Sequence, residues 1–285
     1  MKRMYLLCVV VLITVISGNT TLWGQTPKTA LEFYERGSMY GESGNYDLAI
    51  ADYTKAISIK PKYFEAYHDR GLAYHFKGDF DRAIADFTKT IQLNSKFDKA
   101  YCNRGRVYID KGNFDKAITD FNKAIQLNSN NYEAYYFLGI IYFVEKGDFT
   151  KAIVNFTMAI KNNLDFVEAY DQLGRVYIEK GNYDMAIDFL NKAIQIEPDF
   201  GEAYYNRGFA FIKKQDYEHA IMDFNQLIRL YPENEEAYYN RAYAFYKNQD
   251  YDHAITDYEM VLKINPNNTN AKISLDLARK QKTSR

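Results

Sequence analysis

Two sets of residues in this chain are typed and spaced so that they can react with one another. The first pairs arginine with aspartate. Arg36, Arg70, Arg104, Arg207 and Arg241 are each followed sixteen residues later by an aspartate, at Asp52, Asp86, Asp120, Asp223 and Asp257. A guanidinium and a carboxylate can meet through two parallel N–H···O bonds, the strong geometry for an ion pair. At the equivalent places of two further stretches the arginine is Leu138 or Leu173, and the partner is Asn155 or Phe189, so the two sites change together. The ten residues are expected to form five partly buried structural ion pairs; the rival reading is a solvated stripe of charge inherited by duplication. The second set is His68, His75 and Cys102. Two imidazoles and a thiol without a further ligand make a poor metal centre, so neither metal nor cofactor is expected. His219 and His253 occupy equivalent places and are expected on an outer surface. No nucleophile elbow, phosphate-binding glycine loop, HExxH or CxxC occurs, so no catalytic residue is nominated and a non-enzymatic role is expected.

Elements that would position these residues follow from an internal period. Small residues recur at Gly37, Gly71, Gly105, Gly139, Gly174, Gly208 and Ala242, in steps of 34, with one step of 35. Ala49, Ala83, Ala117, Ala152, Ala186, Ala220 and Ala254 keep the same beat, as do Tyr40, Tyr74, Tyr108, Tyr142, Tyr177, Phe211 and Phe245. Comparing the three series places one inserted residue between Tyr142 and Gly147. Within a unit, Tyr204, Gly208 and Phe211 share one face of a helix, and Ala220, Phe224 and Leu227 share one face of the next. Pro61, Pro198, Pro232 and Pro266 follow the second helix and stop it.

A 34-residue unit with this order of aromatic, small and proline positions resembles the tetratricopeptide repeat. The units run 30–63, 64–97, 98–131, 132–166, 167–200, 201–234 and 235–268, followed by a capping helix and tail over 269–285 in which Ala271, Leu275 and Ala278 form the buried face. Departures are arginine before the glycine, Ala242 in place of glycine, and Ser95, Ser129 and Leu164 in place of proline. The resemblance implies an all-α, right-handed superhelical solenoid of seven helical hairpins plus a C-terminal capping helix.

It also implies a concave groove lined by the first helix of each unit. The groove residues named by position are Asn103 and Arg106 in unit three, Tyr136, Phe137, Ile140 and Phe143 in unit four, and Arg175 in unit five. Tyr205, Asn206 and Phe209 follow in unit six, and Tyr239, Asn240 and Tyr243 in unit seven. An apolar centre with polar flanks suits a peptide, and asparagines at the sixth position, Asn103, Asn206 and Asn240, match family residues that bond a ligand backbone. The alternative for each aromatic is packing against a neighbouring helix. A carboxylate clamp spread over three units, as some relatives carry, is incomplete here: Lys99 and Asn103 fit it, whereas Tyr34, Ser38 and Asp69 do not.

Composition narrows the partners. The 36 basic and 37 acidic residues balance, which removes the basic excess that nucleic-acid binding draws on. Only five prolines, with 27 tyrosines and 19 phenylalanines, suit a helical chain rich in packed aromatics. Lys2 and Arg3 precede the apolar run 4–16 and a polar exit, the pattern of a secretory signal peptide over residues 1–24 with a link over 25–29; a retained anchor is the alternative. Cys102 is then the one remaining cysteine and no internal disulfide can form. The sequence therefore reads as an exported adaptor of the bacterial periplasm or cell envelope, attached to the inner membrane if the anchor is kept. Its groove holds a protein or peptide partner, and the alternative is a homodimeric structural protein using unit four and the aromatic last units.

Overall fold

The computed structural model describes residues 27–284, so the leader over 1–24 and the start of the link lie outside the described residues. Among the described residues there are fifteen α-helices, one π-helical turn and no strand. The first helices of the units are α1 (Ala30–Glu42), α3 (Phe64–Phe76), α5 (Asp98–Asp110), α7 (Tyr132–Ile140), α9 (Val167–Glu179), α11 (Gly201–Lys213) and α13 (Glu235–Lys247). The second helices are α2 (Tyr46–Ile59), α4 (Phe80–Leu93), α6 (Phe114–Leu127), α8 (Phe149–Asn162), α10 (Tyr183–Ile196), α12 (Tyr217–Leu230) and α14 (Tyr251–Ile264), and α15 (Thr269–Thr283) caps the array. Each first helix begins on the first residue of its unit. No helix of the described residues is long and apolar enough to cross a membrane.

The hairpin closes on the glycine. A Cβ on Gly71, Gly105 or Gly208 would stand 3.0, 2.8 or 2.9 Å from the ring of Phe87, Phe121 or Phe224 in the facing helix, and on Gly139 only 2.5 Å from Phe156. The four rings are fully buried, so the missing side chain is what lets the two axes approach around them. After each first helix the chain must turn through a left-handed residue, and it does so at Gly44, Gly78, Gly112, Gly147 and Gly181, but at Gln215 and Gln249 in units six and seven. Asp79, Asn113, Asp148, Asn182, Asp216 and Asp250 then cap the second helix by accepting a bond from its third amide. Where proline is lacking at the far end, Asn94, Asn128 and Asn163 accept from the amide two residues on and make the turn themselves.

The inserted residue is absorbed inside a helix. Ile141–Glu145 forms a π-helical turn at the end of α7, with the Lys146 amide bonded to the Ile141 carbonyl at 3.1 Å. Of the outcomes open to an insertion, a bulged helix is the one the structure takes.

Both ends of the array are closed by polarity. The third position of a unit is a fully buried alanine at Ala66, Ala100, Ala134, Ala169, Ala203 and Ala237, but Glu32 in unit one, where it completes a capping box with Thr29. In α15, Ala271, Leu275 and Ala278 are buried, while Asp276 and Arg279 stand where earlier units have glycine and an aromatic ring. Such faces solvate the ends of a stack instead of extending it.

Candidate functional site

First helices of consecutive units approach one another directly, and second helices do so less, so the first helices line the inside of the curve. Two polar systems hold these helices in place. One is the arginine–aspartate set. Arg104 Nε and Nη2 donate to the two carboxylate oxygens of Asp120, each at 2.8 Å, and Arg70 meets Asp86 the same way at 2.7 and 2.8 Å. Arg36–Asp52, Arg207–Asp223 and Arg241–Asp257 repeat the fork. All five aspartates are buried. In four of the five the free edge of the guanidinium reaches back sixteen residues: Arg70 to Thr54, Arg104 to Thr88, Arg207 to Asn191 and Arg241 to Asn225. One arginine thus joins the second helix of its own unit to that of the unit before.

The other system runs along the inner face and was not foreseen from the sequence. Position five of one unit bonds position six of the next, 35 residues on: Tyr34 to Asp69 at 2.6 Å, His68 to Asn103 at 3.0 Å, Asp171 to Asn206 at 2.6 Å, and Tyr239 to Ser274 at 3.4 Å. Its sequence signal is the recurrence of complementary polar types at that separation, which the hydrophobic period hides. With the Asn103 amide donating to His68 Nε2, the opposite ring nitrogen of His68 donates to Asp69 at 2.8 Å. Asn103 and Asn206 therefore hold neighbouring helices, and the Asn240 amide donates to the Glu236 carbonyl. Asp171 is buried, and its carboxyl is pushed up to about 6 by that burial. Burial also raises Glu168, one turn earlier.

Between these ladders lies the apolar centre. Tyr136 is buried, with its ring 4.9 Å from that of Phe166 and 5.4 Å from that of Phe137, so it belongs to the core under the groove. Phe137, Ile140 and Phe143 are half-buried and form the open floor. An arginine flanks the floor on each side. Arg106 stands 5.2 Å over the Phe137 ring and donates from Nη1 to the side-chain oxygen Oδ1 of Asn103 at 3.4 Å; Arg175 stands 5.6 Å over the Phe143 ring and donates to Gln172 at 3.0 Å. Arg175 is exposed, and among the described residues no carboxylate lies within ion-pair distance of it. Further along, Tyr205, Phe209, Tyr239 and Tyr243 are all half-buried. Tyr205 packs edge-on to Phe224 and Tyr239 edge-on to Tyr258, so each has one edge in the core.

Cys102 and His68 are enclosed, and His75 bonds Asp110 at 2.5 Å. Burial raises the Cys102 thiol well above its usual range. Among the described residues no group of three metal-ligating side chains comes together. His219 and His253 lie on exposed second-helix faces beside Asp216 and Asp250.

Comparison with known proteins gives the architecture a context. Models described as the TPR repeat match residues 37–78, 105–144, 174–215 and 210–249, and models of the tetratricopeptide repeat match 64–97 and 235–268, together more than half of the chain. No curated protein matches the sequence. Among solved structures, the C-terminal part of a TPR repeat-containing protein of Cytophaga hutchinsonii aligns at 21% identity with a TM-score of 0.67, over 85% of this chain and 99% of that one. A chain of the APC/C hetero-tetramer Cut9-Hcn1 aligns at 21% identity with a TM-score of 0.64; the match covers 87% of this chain but only 48% of that one. YrrB, a TPR protein with an unusual peptide-binding site, aligns at 22% identity with a TM-score of 0.58, over 66% of this chain and 96% of its own. At these identities the likeness is one of fold.

Proposed function

We propose that this chain, which belongs to the tetratricopeptide repeat family, is a non-catalytic scaffold that holds an extended segment of a partner protein across the inner face of units three to five. The fold is that of a protein-binding solenoid. The observation that carries the choice of surface is the open floor of Phe137, Ile140 and Phe143, set between two guanidiniums that stand on aromatic rings. An apolar side chain of the partner leaves water on that floor, and the exposed Arg175 guanidinium is a fixed donor for its main-chain carbonyls or acidic groups. YrrB is described as having a peptide-binding site, which supports a peptide as the ligand class on the same fold. The signal-like start of the sequence supports a place in a bacterial cell envelope.

The test is a photo-reactive residue at Ile140 in cells that express the full chain. A cross-linked partner that disappears with Arg175→Glu, an exposed substitution outside both ladders, supports the reading. Cross-links that join only two copies of this chain would replace it with a homodimeric scaffold in which unit four is a seam.

A further inference from the structure

Three kinds of tie recur between consecutive units, and one junction lacks the two polar ones and shows the third only weakly. The first is the backward bond of the arginine, at 2.9 Å for Arg70–Thr54 and Arg104–Thr88 and 2.6 Å for Arg207–Asn191 and Arg241–Asn225. In unit five that place is Leu173, which can offer nothing to Thr157 sixteen residues earlier. The second is an ion pair between a lysine at the end of a first helix and an aspartate on the second helix of the preceding unit. It occurs as Lys77–Asp47, Lys111–Asp81, Lys146–Asp115 and Lys214–Asp184. Between units four and five the same register sets Lys180 against Thr150, which carries no charge. The third is the direct approach of successive first helices, present from α1 through α7 and again from α9 through α13, and weaker between α7 and α9. Every other junction keeps at least one tie: unit four has Leu138 but retains Lys146–Asp115, unit seven has Asn248 in place of lysine but retains Arg241–Asn225, and the cap has Leu275 but retains Lys282–Asp252.

What holds units four and five together is apolar. Tyr136, Phe156, Ala169, Leu173 and Val176 form one cluster, with Phe166 between the rings of Tyr132 and Tyr136. Such contact is non-directional, so packed helices can slide a little without losing it, whereas a forked ion pair fixes an angle. The π turn Ile141–Glu145 sits beside this junction and already departs from the regular helical register there. We propose that the array consists of two stiff blocks, units one to four and unit five to the cap, that turn against one another about the α8–α9 junction. Arg175 over Phe143 spans the joint, so a turn there widens or narrows the floor of the groove. The proposal stands whatever the groove binds.

Pulsed spin-label distances test it on the full chain in a Cys8→Ala, Cys102→Ala background. Labels at Lys55→Cys and Lys116→Cys lie within one block; labels at Lys116→Cys and Glu218→Cys lie across the joint. A broader distribution is expected for the second pair. Supplying the ties through Leu173→Arg with Phe189→Asp and Thr150→Asp should shrink it to the width of the first. A wild-type distribution across the joint as narrow as that within the block overturns the proposal, as does one left broad by the three substitutions in a chain whose helical circular dichroism is unchanged. If those substitutions unfold the chain, the exposed Thr150→Asp alone decides by whether it narrows the distribution.

Discussion

Asp120→Ala is the substitution on which the account of the ion pairs turns. Asp120 is 4% exposed and receives two bonds of 2.8 Å from Arg104, whose side chain is 17% exposed. Breaking a fully buried pair from one side costs about 3–5 kcal/mol, because a charge is left without its partner. Arg104 keeps its bond to Thr88 and a rim of water, so the expected cost here is about 2–3 kcal/mol. Arg36 supplies the internal control: its side chain is 40% exposed, and Asp52→Ala should cost only about 0.5–1 kcal/mol. Exchanging both partners for the pair that unit four itself uses, Arg104→Leu with Asp120→Asn, should fall within about 1 kcal/mol of wild type, since no charge is stranded. Urea unfolding alone is a poor assay, because repeat arrays open unit by unit. Amide exchange in α5 and α6, compared with α1 and α2, reads each unit locally. Should Asp120→Ala cost no more than Asp52→Ala, the pairs are surface charge and the reasoning fails.

Asp171 gives a pH prediction whose sign differs from that of an ordinary salt-bridged acid. Its folded pKa of about 6 lies above its unfolded value near 3.8, so through that window the folded chain keeps a proton that the unfolded chain has lost. Its contribution to stability therefore falls as the pH rises from about 4 to about 6, by roughly 2–3 kcal/mol in total. Asp171→Asn should remove this dependence and melt higher at neutral pH; parallel melting curves for the two chains would contradict it. Gln215 holds a left-handed φ of 62° that glycine takes without strain, so Gln215→Gly should stabilise the chain by about 0.5–1 kcal/mol in thermal melts. Gly139→Ala would put a Cβ 2.5 Å from the Phe156 ring and should cost about 1–3 kcal/mol, read in the same melts. Cys102, buried and with its thiol raised, should react with a thiol reagent only when urea unfolds unit three; rapid reaction of the native chain would show that its helices open there.

Much of this architecture was legible because one short pattern is written seven times. A 34-residue beat of glycine, alanine and aromatic rings marks both helices of each unit and the face each buries, and the linked change of Arg104–Asp120 to Leu138 with Asn155 exposed a contact between helices. The insertion near Tyr142 was visible as an interruption, but spacing alone does not say whether it bulges a helix or lengthens a turn; the structure puts it in the π turn, where Phe143 packs on Phe149. The inner polar ladder was hidden for another reason. Its members, such as His68 with Asn103 and Asp171 with Asn206, differ in type from one unit to the next, so a search for recurring residues passes over them.

That ladder alters where recognition can lie. An asparagine at position six has two amide N–H donors, and one that already holds the helix of the preceding unit has only the other to offer a ligand backbone. Asn103 donates to His68, Asn206 to Asp171 and Asn240 to its own helix, so a ligand that took these donors would have to release contacts between or within units. A bond between two buried polar groups is not exchanged cheaply, since the partner left behind keeps the cost of its desolvation. The accessible alternatives are the shelf of Phe137, Ile140 and Phe143, which is already half open, and Arg175, whose contacts among the described residues are a ring and an amide and no carboxylate. Specificity placed there falls beside the joint between the two blocks, where register sets Tyr136 against Gln172 with no polar rung; the junction before it, with Cys102 against Phe137, lacks one as well. The units that give up polar ties between helices are thus the ones that present apolar surface to a partner, and both properties follow from the same substitutions in units four and five.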